Sequence, residues 1–121
     1  RDFEVVDVAY DPYSATQLAI QLTDHGVNAI EFPQNIGHMS EPTKALLIAV
    51  LQRRLVHGGN PVLRWMAANA KAIVDANDNV KLVKNKSIGR IDGVVASIMG
   101  IARATLAEDQ TSMYEQPGAT L

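Results

Sequence analysis

Apolar and polar positions along the chain change period several times, and each change marks an element. Residues 3–10, Phe3-Glu4-Val5-Val6-Asp7-Val8-Ala9-Tyr10, are short, Val-rich and nearly continuous, the pattern of a buried parallel strand. Asp11-Pro12 then reads as a helix cap followed by proline at the first helical position. Ala15, Leu18, Ala19 and Leu22 recur at helical spacing, and Gly26 stops that helix. Val27–Phe32 predicts a second strand, so that strand, helix and strand make one βαβ unit with a right-handed crossover.

Pro33–Met39 reads as a loop. Ser40 is placed to cap a helix over residues 41–57, with Pro42 in its first turn and a wide apolar face through Ala45, Leu46, Ile48, Ala49, Leu51, Leu55 and Val56. His57-Gly58-Gly59 ends it, and Asn60-Pro61 starts a short helix holding Val62, Leu63, Trp65 and Met66. Residues 71–74 and 80–83 flank the polar run Asp75–Asn79 and predict a β-hairpin, with a helix continuing through Val74 as the competing reading. After the basic link Lys84-Asn85-Lys86, Ser87 is expected to cap a last helix over about residues 88–107. Residues 108–121, with Pro117 and Gly118, are expected to form a flexible tail.

On the last helix, at about 100° per residue, Ile88, Ile91, Val95, Ile98, Ala102 and Leu106 share one apolar arc. Asp92 falls at the edge of that arc beside Met99, while Arg90 and Ser97 point away. A carboxylate there is unusual for a helix that only packs. Two readings stand: a first-turn acid that favours the helix dipole and meets a nearby Lys or Arg, or a metal ligand. Asp11 has the same duality. Asp before Pro is a common cap, yet a carboxylate at the C-terminal end of a parallel strand also lies where α/β sheets bind ligands. Asp7 projects to the same side of its strand as Asp11 and reads as a buried or edge carboxylate, with a role as an extra ligand the weaker reading.

Size and charge narrow the options. The 121 residues suit one domain, and 47% hydrophobic residues fit a soluble globular chain. A formal net charge of -2 argues against bulk electrostatic binding of nucleic acid but leaves room for a local basic patch. Lys81, Lys84, Lys86 and Arg90 supply one near the hairpin and the start of the last helix; they are read either as phosphate contacts or as a solvated face. With no cysteine there is no disulfide framework and no thiolate metal site. No apolar run is long enough to span a membrane and no secretory pattern opens the chain. The chain begins at Arg1 and enters a strand almost at once, which reads as a fragment without its N-terminal part. His57 is expected to bond a free carbonyl at a helix end, His38 to face solvent, Trp65 and Met66 to be core, and Arg53 and Arg54 to cover a helix end.

Taken in order, several segments resemble the C-terminal nuclease domain of the large terminase subunit of tailed bacteriophages. They are Val8-Ala9-Tyr10-Asp11-Pro12-Tyr13-Ser14-Ala15, the helix ending at Gly26, and the strand running into Pro33-Gln34. Next come Met39-Ser40-Glu41-Pro42-Thr43-Lys44 and Leu55-Val56-His57-Gly58-Gly59-Asn60-Pro61-Val62-Leu63-Arg64-Trp65. Lys86-Ser87 and Arg90-Ile91-Asp92-Gly93-Val94-Val95-Ala96 close the series. The resemblance covers the chain to about Ala107.

It implies an α/β, RNase H-like fold: a partial mixed sheet with flanking helices and a β-hairpin before a long C-terminal helix. Residues 1–107 are then the later part of one nuclease domain whose first strands are missing. It implies an endonuclease that cuts concatemeric viral DNA during genome packaging, using acidic residues and two divalent cations, Mg²⁺ or Mn²⁺. Asp11 and Asp92 match two of the family's acids, and the first acid belongs to an earlier strand. Lys84, Lys86 and Arg90 become candidate DNA contacts. Double-stranded DNA, the portal and the small terminase subunit are the implied partners, the intact motor is a homo-oligomeric ring, and the setting is the cytoplasm of an infected or lysogenic bacterium. Two rivals stand beside this reading. One is a non-catalytic module that grips DNA or a motor subunit; the other is a doubly wound domain for a small phosphorylated ligand, which lacks its Gly-rich turn after the first strand.

Overall fold

A long helix is the axis on which everything else is assembled. The computed structural model describes residues 3–13, 15–86 and 89–115, with side chains as far as Leu106. In chain order the elements are β1 (Val8–Tyr10), α1 (Thr16–Asp24), β2 (Ala29–Glu31), α2 (Ile36–Leu51), α3 (Pro61–Ala68), β3 (Ala70–Val74), β4 (Val80–Lys84) and α4 (Asp92–Glu115). Helix α4 brings Val94, Ile98 and Met99 into a buried cluster with Met39 of α2. Ala9, Phe32, Leu46, Leu63, Met66, Leu82 and Val95 pack around that cluster, so every layer touches the same few side chains.

The expected sheet is realised as two small ones. β1 and β2 pair in parallel with Val8 opposite Ala29, Ala9 opposite Ile30 and Tyr10 opposite Glu31. α1 is the crossover between them, and it ends where Gly26 takes φ +83°, a left-handed conformation suited to glycine. The expected first strand shrinks from residues 3–10 to three residues. β2 is only three residues long, nothing among the described residues pairs with 3–6, and Phe3, Val5 and Val6 lie exposed. An apolar run forms a buried strand only where neighbours cover it.

Three helix starts differ from expectation, each for a local reason. α1 begins at Thr16, after Ala15, with no side-chain cap, so Asp11-Pro12 forms a bend ahead of the helix. α2 begins at Ile36, because Asn35 accepts the His38 backbone N–H at 2.9 Å and caps it five residues before the expected start. Ser40 is therefore inside the helix and buried, and its Oγ accepts the Val80 N–H at 3.0 Å, fastening α2 to the outer edge of β4. Pro42 sits mid-helix and buried, and α2 stops at Leu51, where Arg53 turns at φ 57°.

α4 begins at Asp92 rather than near residue 88. Asn69 Nδ2 donates to the Arg90 carbonyl at 3.1 Å, and a Cβ on Gly89 would stand 3.0 Å from Asn69 Cγ. The chain is thus held against the end of α3 until Ile91, whose carbonyl accepts the first helical bond from Val95. The expected Ser87 cap and the place of Ile88 on the apolar arc fall outside the described residues. At its other end α4 runs to Glu115, past the boundary expected at 107, since residues 108–115 contain neither Gly nor Pro to break it. Residues 116–121 of the expected tail lie outside the described residues.

The hairpin prediction matches the structure. β3 and β4 are antiparallel with Ala72 opposite Leu82, and the competing continuous helix is absent there. Asp75 makes the turn: its Oδ1 accepts the N–H groups of Asn77 (2.8 Å) and Asn79 (3.0 Å), and its Oδ2 accepts Asn79 Nδ2 at 3.1 Å. These bonds, led by the Asn79 side chain and helped by the Lys44 charge, hold the Asp75 carboxyl below its ordinary value of 3.8, against a small opposing effect of burial. A lowered folded value means that the stabilisation is complete above pH 3.8 and disappears as pH falls through the folded value. An NMR titration of the Asn77 and Asn79 amides is expected to show a midpoint below 3.8 that Asp75→Ala removes; a midpoint at or above 3.8 contradicts it.

Candidate metal and phosphate groove

The packing of β1 against α4 decides which acids meet. Side chains at 7, 9 and 11 share one side of the first segment, and residues 92, 96, 99 and 103, spaced four, three and four apart, form one stripe of α4. At one end of this contact Arg103 Nη2 lies 2.9 Å and Nε 3.2 Å from Asp7 Oδ2. In the middle Ala9 packs on the core that contains Met99. β1 therefore runs antiparallel to α4. From Asp7 to Asp11 is roughly 13 Å at a strand's rise, and from Arg103 to Asp92 is roughly 16 Å at a helix's rise. The two rises differ by less than one helical turn; Asp92 lines the groove described below, whereas Asp11, one residue past β1, is not part of its lining among the described residues.

Neither acid is engaged elsewhere. Asp11 is half-buried, and its Oδ1 accepts one weak bond from the Tyr13 N–H at 3.4 Å. Since α1 starts at Thr16, the expected capping role of Asp11 does not occur. Asp92 is exposed as the first residue of α4, and no Lys or Arg among the described residues forms an ion pair with either acid. The structural reading of Asp92 as half of a salt bridge is therefore not met; what is left of it is the favourable helix dipole. Asp7, by contrast, is paired with Arg103 through Oδ2, in keeping with the reading of it as a structural carboxylate.

An open groove borders Asp92. Gln34, Lys81, Leu82, Val83, Lys84, Ile91, Val95, Ala96 and Met99 complete its wall with Met39 beneath. Gln34, at the end of β2, donates from Nε2 to the Met99 sulfur at 3.4 Å and so ties the sheet's rim to the α4 stripe. Lys81 and Lys84 come from β4, whose outer edge faces this groove. Of the basic residues singled out from sequence, Lys81 and Lys84 line the groove. Lys86 and Arg90 are exposed in the connection from β4 to α4 and are not part of its lining among the described residues.

Other candidates separate from this site. His57 lies on a different, apolar groove with Leu55 and Leu63, beyond the end of α2, and its Nδ1 accepts the Gly59 N–H at 3.1 Å. His38 is exposed, with Nδ1 2.9 Å from Asn35 Oδ1. Trp65, expected in the core, is 51% exposed. Leu63 and Met66 take the face of α3 turned to α4, and Trp65 is about 200° from Leu63 on that helix. Met66 does pack: its sulfur accepts the Gly93 N–H at 3.1 Å.

The donor set suits a hard divalent cation. Asp11 and Asp92, which have no cationic partners among the described residues, are the ligand type that Mg²⁺ and Mn²⁺ prefer. They are a partial set: among the described residues no group of three or more His, Asp or Glu side chains is arranged to hold a metal.

The family model for the terminase large subunit, endonuclease domain, matches residues 1–108. Protein YmfN of Escherichia coli K12 is 39% identical over 107 residues, covering 87% of this chain and 24% of that protein. The terminase large subunit of Enterobacteria phage HK97 is 35% identical over 105 residues, covering 85% of this chain and 21% of the relative. The crystal structure of the HK97 large terminase superposes with a TM-score of 0.74 at 35% identity, over 84% of this chain and 22% of that one. The chain thus spans about a quarter or less of the length of these relatives.

Proposed function

Since the chain belongs to the terminase large subunit endonuclease family, we propose that it carries part of a metal-dependent site that cuts double-stranded viral DNA during packaging. Asp11 and Asp92 are the cation ligands in this reading. What supports it is that β1 seats antiparallel on α4 and that neither Asp11 nor Asp92 has a cationic partner among the described residues. A bound divalent ion would supply Lewis-acid stabilisation of charge on a phosphodiester. The protein's own part is to hold two acids at fixed spacing and to offer cations beside them. Lys81 and Lys84 stand on the wall of the groove next to Asp92 and are suited to phosphate oxygens; Lys86 and Arg90 extend that charge along the exposed connection.

Calorimetric titration of the chain with Mn²⁺ is expected to give a saturable heat that Asp11→Asn reduces to the limit of detection. Equal heats in the two proteins would sink the assignment. The non-catalytic alternative has its own support in Lys81 and Lys84, which need no metal to grip a backbone. It predicts DNA binding that is unchanged in EDTA and falls with salt at a slope of about -0.9 per phosphate contact. The nuclease reading predicts instead that Mn²⁺ strengthens binding, by cancelling the repulsion between the two acids and the phosphates.

A further inference from the structure

We propose that Asp7 and Arg103 form a register clamp, a positioning pair that fixes how far β1 can slide along α4 and so sets the spacing between Asp11 and Asp92. The inference rests on the reading of those acids as a site, but its physical content is the spacing itself. Of the two ion pairs among the described residues, Glu41–Lys44 lies within one helix, whereas Asp7–Arg103 joins positions 96 apart in sequence. Two guanidinium nitrogens converge on one carboxylate oxygen, and the side chains are only 13% (Asp7) and 26% (Arg103) exposed. Such a pair is directional and is screened less than a surface contact.

The rest of the seam offers little resistance to sliding. Between the clamp and the acids the contact is Ala9 against Met99 and Ala96, short apolar groups without directional bonds. The β1–β2 ladder sets β1 against β2, and the segment after β2 meets α4 through the Phe32 packing and the neutral Gln34–Met99 contact at 3.4 Å, weaker than the charged pair. Arg103 stands on the same stripe as Asp92, and Asp7 on the same side of the chain as Asp11. A shift permitted at residue 7 is therefore carried along β1 to residue 11.

The absence of cysteine makes a direct test simple. Asp11→Cys with Asp92→Cys accepts two nitroxide labels, and their dipolar spectrum reads the spacing without metal. A single narrow spacing is expected, lost on adding Arg103→Met and recovered by the charge swap Asp7→Arg with Arg103→Asp. In the chain with both acids intact, Arg103→Met is expected to weaken Mn²⁺ binding about tenfold, the usual loss when a ligand's outer support is removed. A pair that merely adds stability would lower the melting temperature and leave the label spacing of the folded protein unchanged. If Arg103→Met does not fold, the nearly isosteric Asp7→Asn is read the same way. An unaltered spectrum in the folded variant, or a swap no narrower than the single change, overturns the clamp; failure of the unsubstituted chain to bind Mn²⁺ overturns the metal reading alone and leaves the spectrum to decide the clamp.

Discussion

Asp92→Ala is expected to lower Mn²⁺ affinity by at least about a hundredfold, the upper end of what loss of even an outer partner causes, while leaving the fold in place. The two effects separate because Asp92 contributes to binding and to stability through different interactions. As the first residue of α4 it is exposed and has no cationic partner among the described residues. Its structural contribution is the helix dipole, about 0.3–1 kcal/mol, and alanine returns a few tenths through helix propensity. The net change in unfolding free energy is then under about 1 kcal/mol. In the proposed site, however, Asp92 is one of two carboxylate ligands, and no group of three or more His, Asp or Glu side chains stands ready among the described residues to hold the ion without it. Calorimetry with Mn²⁺ and a urea melt on the same samples test both halves. Undiminished affinity, or a loss of stability of several kcal/mol, contradicts the assignment.

The elements were legible in the sequence wherever their signals were local. Gly26 ended α1 as expected, and the Asp75–Asn79 run between two β-branched stretches made the hairpin. Boundaries failed where distant residues decide. The apolar run at 3–6 signals a strand, but pairing needs a neighbour, and β2 reaches only Val8–Tyr10. Asp11-Pro12 and Ser40 carry good capping chemistry, yet Asn35 caps α2 and Ser40 serves a bond from β4. The two acids stand out by residue type and position, but the seating of β1 on α4 is a long-range contact that the local pattern does not carry. One signal was available and went unused: Asp92, Ala96, Met99 and Arg103 are a stripe, and its far end pairs with Asp7. Trp65 sits on an amphipathic helix, which suggests burial, but the turn of α3 gives its inner face to Leu63 and Met66 and leaves Trp65 outside.

Ile98→Ala is expected to be the most destabilising single substitution in the chain, by about 2–5 kcal/mol. Ile98 is 0% exposed and stands among Met39, Val94 and Met99, where α4 meets α2. Removing three carbons there loses their transfer free energy and leaves a cavity that rigid neighbours cannot close. Met39 could swing partly into the space, since methionine is unbranched, which favours the lower part of the range. Against a total stability of about 5–15 kcal/mol, the change is large enough to unfold a substantial fraction of molecules. Ile98→Val keeps the β-branch, removes one methyl group and is expected to cost about 0.5–1.5 kcal/mol. A denaturant series on the two variants reads the difference as a shift in midpoint at constant slope. Because Ile98 lies on the same helix as Asp92, the alanine variant is also expected to bind Mn²⁺ less well only in proportion to its unfolded fraction. A cost below about 1 kcal/mol for Ile98→Ala, outside the range for a fully buried isoleucine, would place the centre of the core elsewhere.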